Sequence, residues 1–300
     1  MKQVALKVDV DTYIGTLHGV PALLDLFENF DVRASFLFSV GPDNTGRAIR
    51  RVFRKGFLQK VGRTSVVSHY GFLRTLMNGV LKPGPHIGKR AGSVMRDAAA
   101  RGHEVGIHCY DHVRWQDFVV GEDRGWTEHE MNKALEAFRD AVGTEPQTLG
   151  AAGWQINRYV IAMEEQMGFN FASDVRGREP FFPTMNGQDS NCVQLPTTLP
   201  TLDEIIGSDG IDSSNCWETI LGKSRQQLPR GHVYTLHAEL EGMKLMPAME
   251  KLLEAWKTSG FDLVTLQQLY ASLDLSTLPH QEIIQGEVDG RTGLLAVQAA

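Results

Sequence analysis

Asp9 and Asp11, in the run VDVD, stand two residues apart at the end of an apolar segment. In a β-strand such residues point to one side, while Val8 and Val10 face the other way into a core. The C-terminal end of a first strand is where a (β/α) barrel keeps reactive groups. A polar strand end with one Asp capping a turn explains the pair as well. His108 and His112 follow in HEVGIHCYDH at spacing i, i+4. If the chain turns helical there, both rings share a face, a common metal-ligand arrangement; two unrelated surface histidines give the same pattern. Asp111, between them, is expected to be solvated rather than ligating. His103 ends a helix and is expected only to interact with its dipole. His237 ends VYTLHAE and Asp174 ends FASD, each at the tip of a predicted strand. A satisfied core histidine and a capping Asp are the plainer readings of these two.

All of these groups fall at strand ends of the same polarity. Asp11, His108 and His112 supply one carboxylate and two imidazoles, a three-ligand face that leaves coordination positions for water and substrate. Asp9 would then stand beside the ion as a base, and His237 as an acid. This is equipment for metal-assisted hydrolysis. One Asp and two His suit Zn, Mn, Co, Ni or Fe, so the ion's identity stays open.

The elements that must position these residues alternate along the chain. Strands are predicted at residues 4–8, 34–38, 105–107, 148–150, 171–173, 193–195, 233–236 and 263–265. Helices are predicted at 20–28, 92–101, 128–142, 157–167, 216–227 and 244–258, with Thr127 and Glu130 as a capping box. Such alternation implies an α/β fold, a parallel sheet covered by helices as a (β/α) barrel or a doubly wound sheet. No GxGxxG or GxxxxGK[ST] follows a strand, so a nucleotide reading lacks its phosphate cradle. With 42% hydrophobic and 22% charged residues, disorder, collagen and coiled coil are excluded as global descriptions. Cys109, Cys192 and Cys216 are too scattered for a disulfide framework, which suits a reducing compartment. Lys7 and Asp9 interrupt any signal-peptide core, and no run reaches membrane-spanning length. The expectation is a cytoplasmic protein that touches a membrane only at its surface.

The net charge of −6 hides a division. Residues 44–96 hold 12 Lys and Arg and no acid, leaving 18 basic against 36 acidic residues elsewhere. Ile49, Val52, Phe53, Phe57 and Val61 share one helical face, with Arg47, Arg50, Arg51, Arg54 and Lys55 on the remaining arc. Val66, Tyr70, Leu73, Met77, Val80 and Leu81 repeat the spacing. One reading is a helix pair with a solvated basic face. Nucleic acid is disfavoured, because no motif matches and the acidic body would repel phosphate. The favoured reading is docking on the anionic cytoplasmic leaflet of a membrane, each cation contributing roughly 1 kcal/mol near the surface. After Pro279 the sequence loses periodicity, so residues 276–300 are expected to be a loose tail.

VDVD, HCYDH and the late LH pair resemble the first, second and last motifs of the polysaccharide deacetylase (NodB-like) family. More narrowly, ASDVRG, VQLPTTLPTLDE, LKPGPHIGKR and LHAELEG resemble bacterial deformylases of lipid-linked formamido-arabinose. Those enzymes belong to the route that adds aminoarabinose to lipid A and confers polymyxin resistance. The resemblance spans about residues 1–275. It implies a distorted (β/α) barrel of one domain; residues 44–96 have no place in that alternation and are expected to be an insertion, docked on anionic lipid at the cytoplasmic face of the inner membrane. It also implies a substrate carried on undecaprenyl phosphate and one divalent metal ion. By position it makes Asp9 the general base, Asp11, His108 and His112 the ligands, His237 the general acid and Asp174 the carboxylate that orients it. One departure stands out. The family carries an Arg after the middle strand that positions the base, whereas Leu149–Gln155 has none. Either Arg176 or Arg178 takes over that task, or the base is tuned differently. A deacetylase of another N-acyl sugar, or a non-catalytic membrane-binding scaffold, would share many of these features.

Overall fold

The computed structural model describes residues 2–47, 84–208, 210–226 and 228–300. Strand β1 (Gln3–Val10) alternates as its sequence demands. Val4, Leu6, Val8 and Val10 enter the main core, while Ala5 belongs to a second cluster with Phe171, Val193, Leu195 and Val233. Lys7 and Asp9 share the Ala5 side. Around β1 lie β2 (Ser35–Ser39), β3 (Glu104–Cys109) and β8 (His232–His237), in the order β3-β2-β1-β8. All of these pairs are parallel, and β9 (Asp262–Val264) also pairs parallel with β1. The register sets Asp9 opposite both Leu37 and His237.

The ring continues irregularly from β3 to β8. Gly150 N–H donates to Ile107 O, and Ser173 N–H to Leu149 O, reaching β4 (Phe171–Ala172). Leu195 N–H donates to Ala172 O, joining β7 (Val193–Gln194), and Thr198 N–H donates to Val233 O of β8. Backbone hydrogen bonds thus run around a distorted barrel, one of the two architectures that the alternation allows and the one that the family resemblance implies.

Helices cover the outside. In α1 (Val20–Asn29), Pro21 opens the first turn, where its missing N–H costs nothing, and Val20, Leu23, Leu24 and Phe27 form the buried stripe. Helix α2 (Ile87–Ala100) precedes β3 and α3 (His112–Phe118) follows it. Helix α4 (Arg124–Val142) starts earlier than predicted. Its cap is Asp123, whose side chain accepts from Trp126 N–H at 2.9 Å; Thr127 lies inside the helix and donates its hydroxyl to Asp123 O. The remaining helices are α5 (Arg158–Gln166), the single turn α6 (Leu202–Ile205), α7 (Cys216–Ser224), α8 (Met246–Thr258) and α9 (Leu266–Ala271). The three cysteines are free and buried.

Two further boundaries differ from expectation. Helix α2 begins at Ile87, inside the segment 44–96 and ahead of the helix start expected at residue 92. The insertion enters and leaves at one neck, with Asp43 N–H donating to Pro85 O at 2.9 Å and Ile87 N–H to Gly41 O at 2.8 Å. The amphipathic faces read between Ile49 and Leu81 lie outside the described residues. The second difference is the C-terminus, which is not a loose tail. Strand β10 (His280–Gly286) pairs parallel with β5 (Phe182–Met185), beside β6 (Gln188–Asp189), and antiparallel with β11 (Leu295–Gln298). Of the seven β10 residues only Ile283 is fully buried, so backbone hydrogen bonds rather than an apolar period hold the strand. That is why its sequence looked featureless.

Candidate active site

The rim formed by the C-terminal ends of β1, β3 and β8 gathers Asp9, Asp11, His108, His112 and His237. His108 points inward from β3, and its Nδ1 lies 2.6 Å from Gly150 O. A carbonyl only accepts, so Nδ1 carries the proton and Nε2 turns its lone pair to the rim. That Nε2 is 3.2 Å from Asp11 Oδ1. His112 Nε2 is 3.4 Å from Asp11 Oδ2, and the two rings are 5.3 Å apart between centroids. The pair does not share a helical face as predicted. His108 ends a strand, His112 opens α3, and the turn between them brings the rings together. Asp111 is buried rather than solvated; it caps α3 by accepting from Arg114 N–H, and it accepts from Asn44 Nδ2 at 2.6 Å.

One ligand atom each from Asp11, His108 and His112 lies within 4.8 Å of the others. Asp11 Oδ1 and Asp9 Oδ1 are buried yet accept no hydrogen bond. Anionic oxygens left so beside two imidazole nitrogens fit a divalent cation. Burial alone would raise the Asp11 carboxyl, but His112 and then His108 outweigh it and hold Asp11 well below the usual carboxylate range. Burial pulls the His108 ring down, and Asp9 and Asp11 more than offset that. A field that favours a proton there also favours a metal ion. Glu239 fixes the end of β1, its Oε1 accepting from Asp11 N–H at 3.1 Å and Thr12 N–H at 2.8 Å. Burial, then the Asp11 charge, pushes Glu239 up to about 7.

Asp9 is buried, and its Oδ2 lies 3.5 Å from Lys7 Nζ, two residues back on the same face. Lys7 is fully buried and also donates to Ser173 O at 2.8 Å. The cation beside the candidate base is therefore Lys7. Arg176 instead pairs with Glu204 at 2.6 Å, and Arg178 donates to Ala299 O at the C-terminus. Gly150 is required by this packing, since a Cβ there would lie 2.3 Å from Leu37 Cδ1 and 3.0 Å from Lys7 Cε.

His237 closes the rim from β8. Its N–H donates to Glu241 Oε2 at 2.9 Å, and its ring meets Trp154 edge to face at 6.5 Å. The carboxylate beside its Nδ1, at 3.9 Å, is Asp203 on α6. Burial lowers the His237 pKa, but Asp203, Asp11 and Glu241 raise it above the ordinary value. Asp174 is engaged elsewhere. Its Oδ1 accepts from Ala151 N–H at 2.6 Å and its Oδ2 from Gln194 Nε2 at 2.8 Å, clamping the segment whose Gly150 carbonyl orients His108. Sequence reasoning missed Lys7, Asp203, Glu239 and Trp154. Lys7 had a legible signal, a charge inside an apolar strand on the face of Asp9. Asp203 and Glu239 stood inside TLDE and LHAELEG without a pattern assigning them to the rim.

The polysaccharide deacetylase family profile matches residues 2–172. The chain is 38% identical over 299 residues to a probable 4-deoxy-4-formamido-L-arabinose-phosphoundecaprenol deformylase of Shewanella sediminis, covering 99% of this chain and 95% of that one. A second protein of that description, from Wigglesworthia glossinidia brevipalpis, is 31% identical, covering 95% of this chain and 98% of its own. Among solved structures, one from Mycobacterium smegmatis assigned to the polysaccharide deacetylases superposes with a TM-score of 0.62. At 17% identity over 95% of this chain and 94% of that one, it attests the fold. The match over more than half the chain, and two relatives aligned nearly end to end, place this chain in the polysaccharide deacetylase family.

Proposed function

We propose that this chain is a metal-dependent amide hydrolase that removes the N-formyl group from 4-deoxy-4-formamido-L-arabinose carried on undecaprenyl phosphate, as a step of lipid A modification and polymyxin resistance. The observation that carries the reaction class is the His108 tautomer, with Nε2 aimed at Asp11 and His112 beside it. Support for the substrate is the near full-length identity to the two deformylase relatives.

Asp11, His108 and His112 would hold the ion, which when bound supplies Lewis acidity and brings a water's pKa toward about 7. Asp9 takes the proton of the attacking water, and Lys7, 3.5 Å from its Oδ2, holds the carboxylate in place. Oxygen adds to the formyl carbon and the C–N bond breaks. His237 gives its proton to the departing nitrogen, so formate and the free amine leave. Asp203, rather than Asp174, orients His237 and favours its charged form.

The 12 cations at residues 44–96 support a peripheral position on anionic lipid. No helix among the described residues is long and apolar enough to cross a membrane. The neck of the insertion adjoins the rim, because Asn44 donates to Asp111, the cap of the helix that carries His112. A lipid-held substrate would thus be met where the reacting groups are.

The substrate assignment is checked by offering purified protein the lipid-linked sugar with either an N-formyl or an N-acetyl group. Formate release with acetate release at least tenfold slower is expected; comparable release of both would favour a general N-acyl sugar deacetylase.

A further inference from the structure

The segment expected to be a loose tail reaches the acid end of the site. Between β10 and β11 the chain turns at Gly290, whose φ is +84° and where a Cβ would lie 2.4 Å from Glu204 O. Only a glycine lets the turn lie this close to α6. The next residue, Arg291, then spans that helix. Its Nη1 is 3.1 Å from Asp203 Oδ2, its Nε donates to Glu204 Oε1 at 2.8 Å, and its Nη2 donates to Thr201 Oγ1 at 3.0 Å. Its guanidinium also covers the Trp154 ring at 4.9 Å, the ring that meets His237. Strand β11 is fixed independently of Arg291. Arg176 N–H donates to Ala296 O and Gln298 N–H to Arg176 O, while Gln155 Nε2 donates to Leu294 O at 2.7 Å.

We infer that Arg291 is a positioning residue for the general acid: the C-terminal hairpin delivers its guanidinium to hold Asp203 and Trp154 against His237, so residues 280–298 are part of the catalytic apparatus. Asp203 stands on a single helical turn, and its Oδ1 lies 3.9 Å from His237 Nδ1, beyond a hydrogen bond. Thr201 Oγ1, in the same turn, donates to that Oδ1 at 2.6 Å, and Arg291 Nη1 fixes the other oxygen, Oδ2, at 3.1 Å, so the carboxylate is held from both sides. A guanidinium fork fixes direction as well as charge.

The inference rests on His237 as acid, and its test separates the two. On the full-length zinc-loaded chain, formate release and the His237 ring resonance by NMR are followed for wild type, Arg291→Gln, Arg291→Lys, Asp203→Asn and the double variant Arg291→Gln/Asp203→Asn. Arg291→Gln is expected to lower kcat roughly ten- to a hundredfold, as for outer-shell partners, and to displace the His237 resonance. KM should stay within about twofold, and the double variant should be no slower than Asp203→Asn alone. Arg291→Lys should fall between wild type and Arg291→Gln on both readouts. A raised KM at unchanged kcat, an unmoved His237 resonance, or additive losses would overturn the inference. Should Arg291→Gln not fold, wild-type kcat and resonance in Arg291→Lys would overturn it equally. Failure of wild type to release formate refutes the substrate assignment instead, and the resonance still decides the role of Arg291.

Discussion

His237 is set between charges that fix when it can act as an acid. Its pKa is the balance of burial, which lowers it, against Asp203, Asp11 and Glu241, which raise it above 6.5. An acid works while protonated, so kcat/KM should hold through pH 6.5 and fall as pH rises through the raised His237 value. Asp203→Asn removes the largest raising contribution and should move that alkaline fall to lower pH, as a pH–rate profile would reveal. An unmoved profile would place the titration on another group. Single residues were unevenly legible. Asp9, Asp11, His108 and His237 are found from strand ends of common polarity, because strand periodicity aims side chains predictably, and His112 from its spacing to His108. The partner of His237 is not found this way. Asp174 ends a predicted strand just as the others do, but its oxygens are taken by Ala151 and Gln194, and the carboxylate that lies 3.9 Å from His237 Nδ1 is Asp203 on a helical turn. His103 likewise is no exposed helix end; its buried Nδ1 accepts from Ala34 N–H at 3.2 Å.

Elements with an apolar period were legible, and those held by backbone pairing were not. β1 and α1 announce themselves through alternation and a stripe of buried residues, whereas β10 buries one residue fully and reads as a tail. The basic insertion is the element with the clearest compositional signal. Its neck is ordered by Asp43, Asn44 and Pro85, and the body of the protein carries the compensating acidity. If the element docks on lipid, flotation with vesicles should be strong with anionic phosphatidylglycerol, weak with phosphatidylcholine alone, and reduced by high salt, since exposed charges are screened over about 10 Å at 0.1 M. Equal recovery on both vesicles at low salt would remove the electrostatic part of the docking.

At the scale of the molecule, one barrel rim unites residues drawn from more than two hundred positions of sequence. Asp9 and His237 are register partners on adjacent strands, and His108 reaches them from β3 through β2. The alternation of strands and helices allows that ring and equally a doubly wound sheet; the irregular arc through Leu149, Ser173 and Thr198 depends on individual hydrogen bonds that no period encodes. Under the proposed function, the carboxylates of that rim serve to concentrate negative charge around one cation. On the proposed mechanism, hydrolysis of the formyl amide depends on an ion held by Asp11, His108 and His112. Its most direct test is formate release by protein stripped with a chelator, checked by elemental analysis, then given one equivalent of divalent metal. Release should vanish on stripping and return on addition, but not return in His108→Ala. Undiminished release by metal-free protein would exclude that dependence.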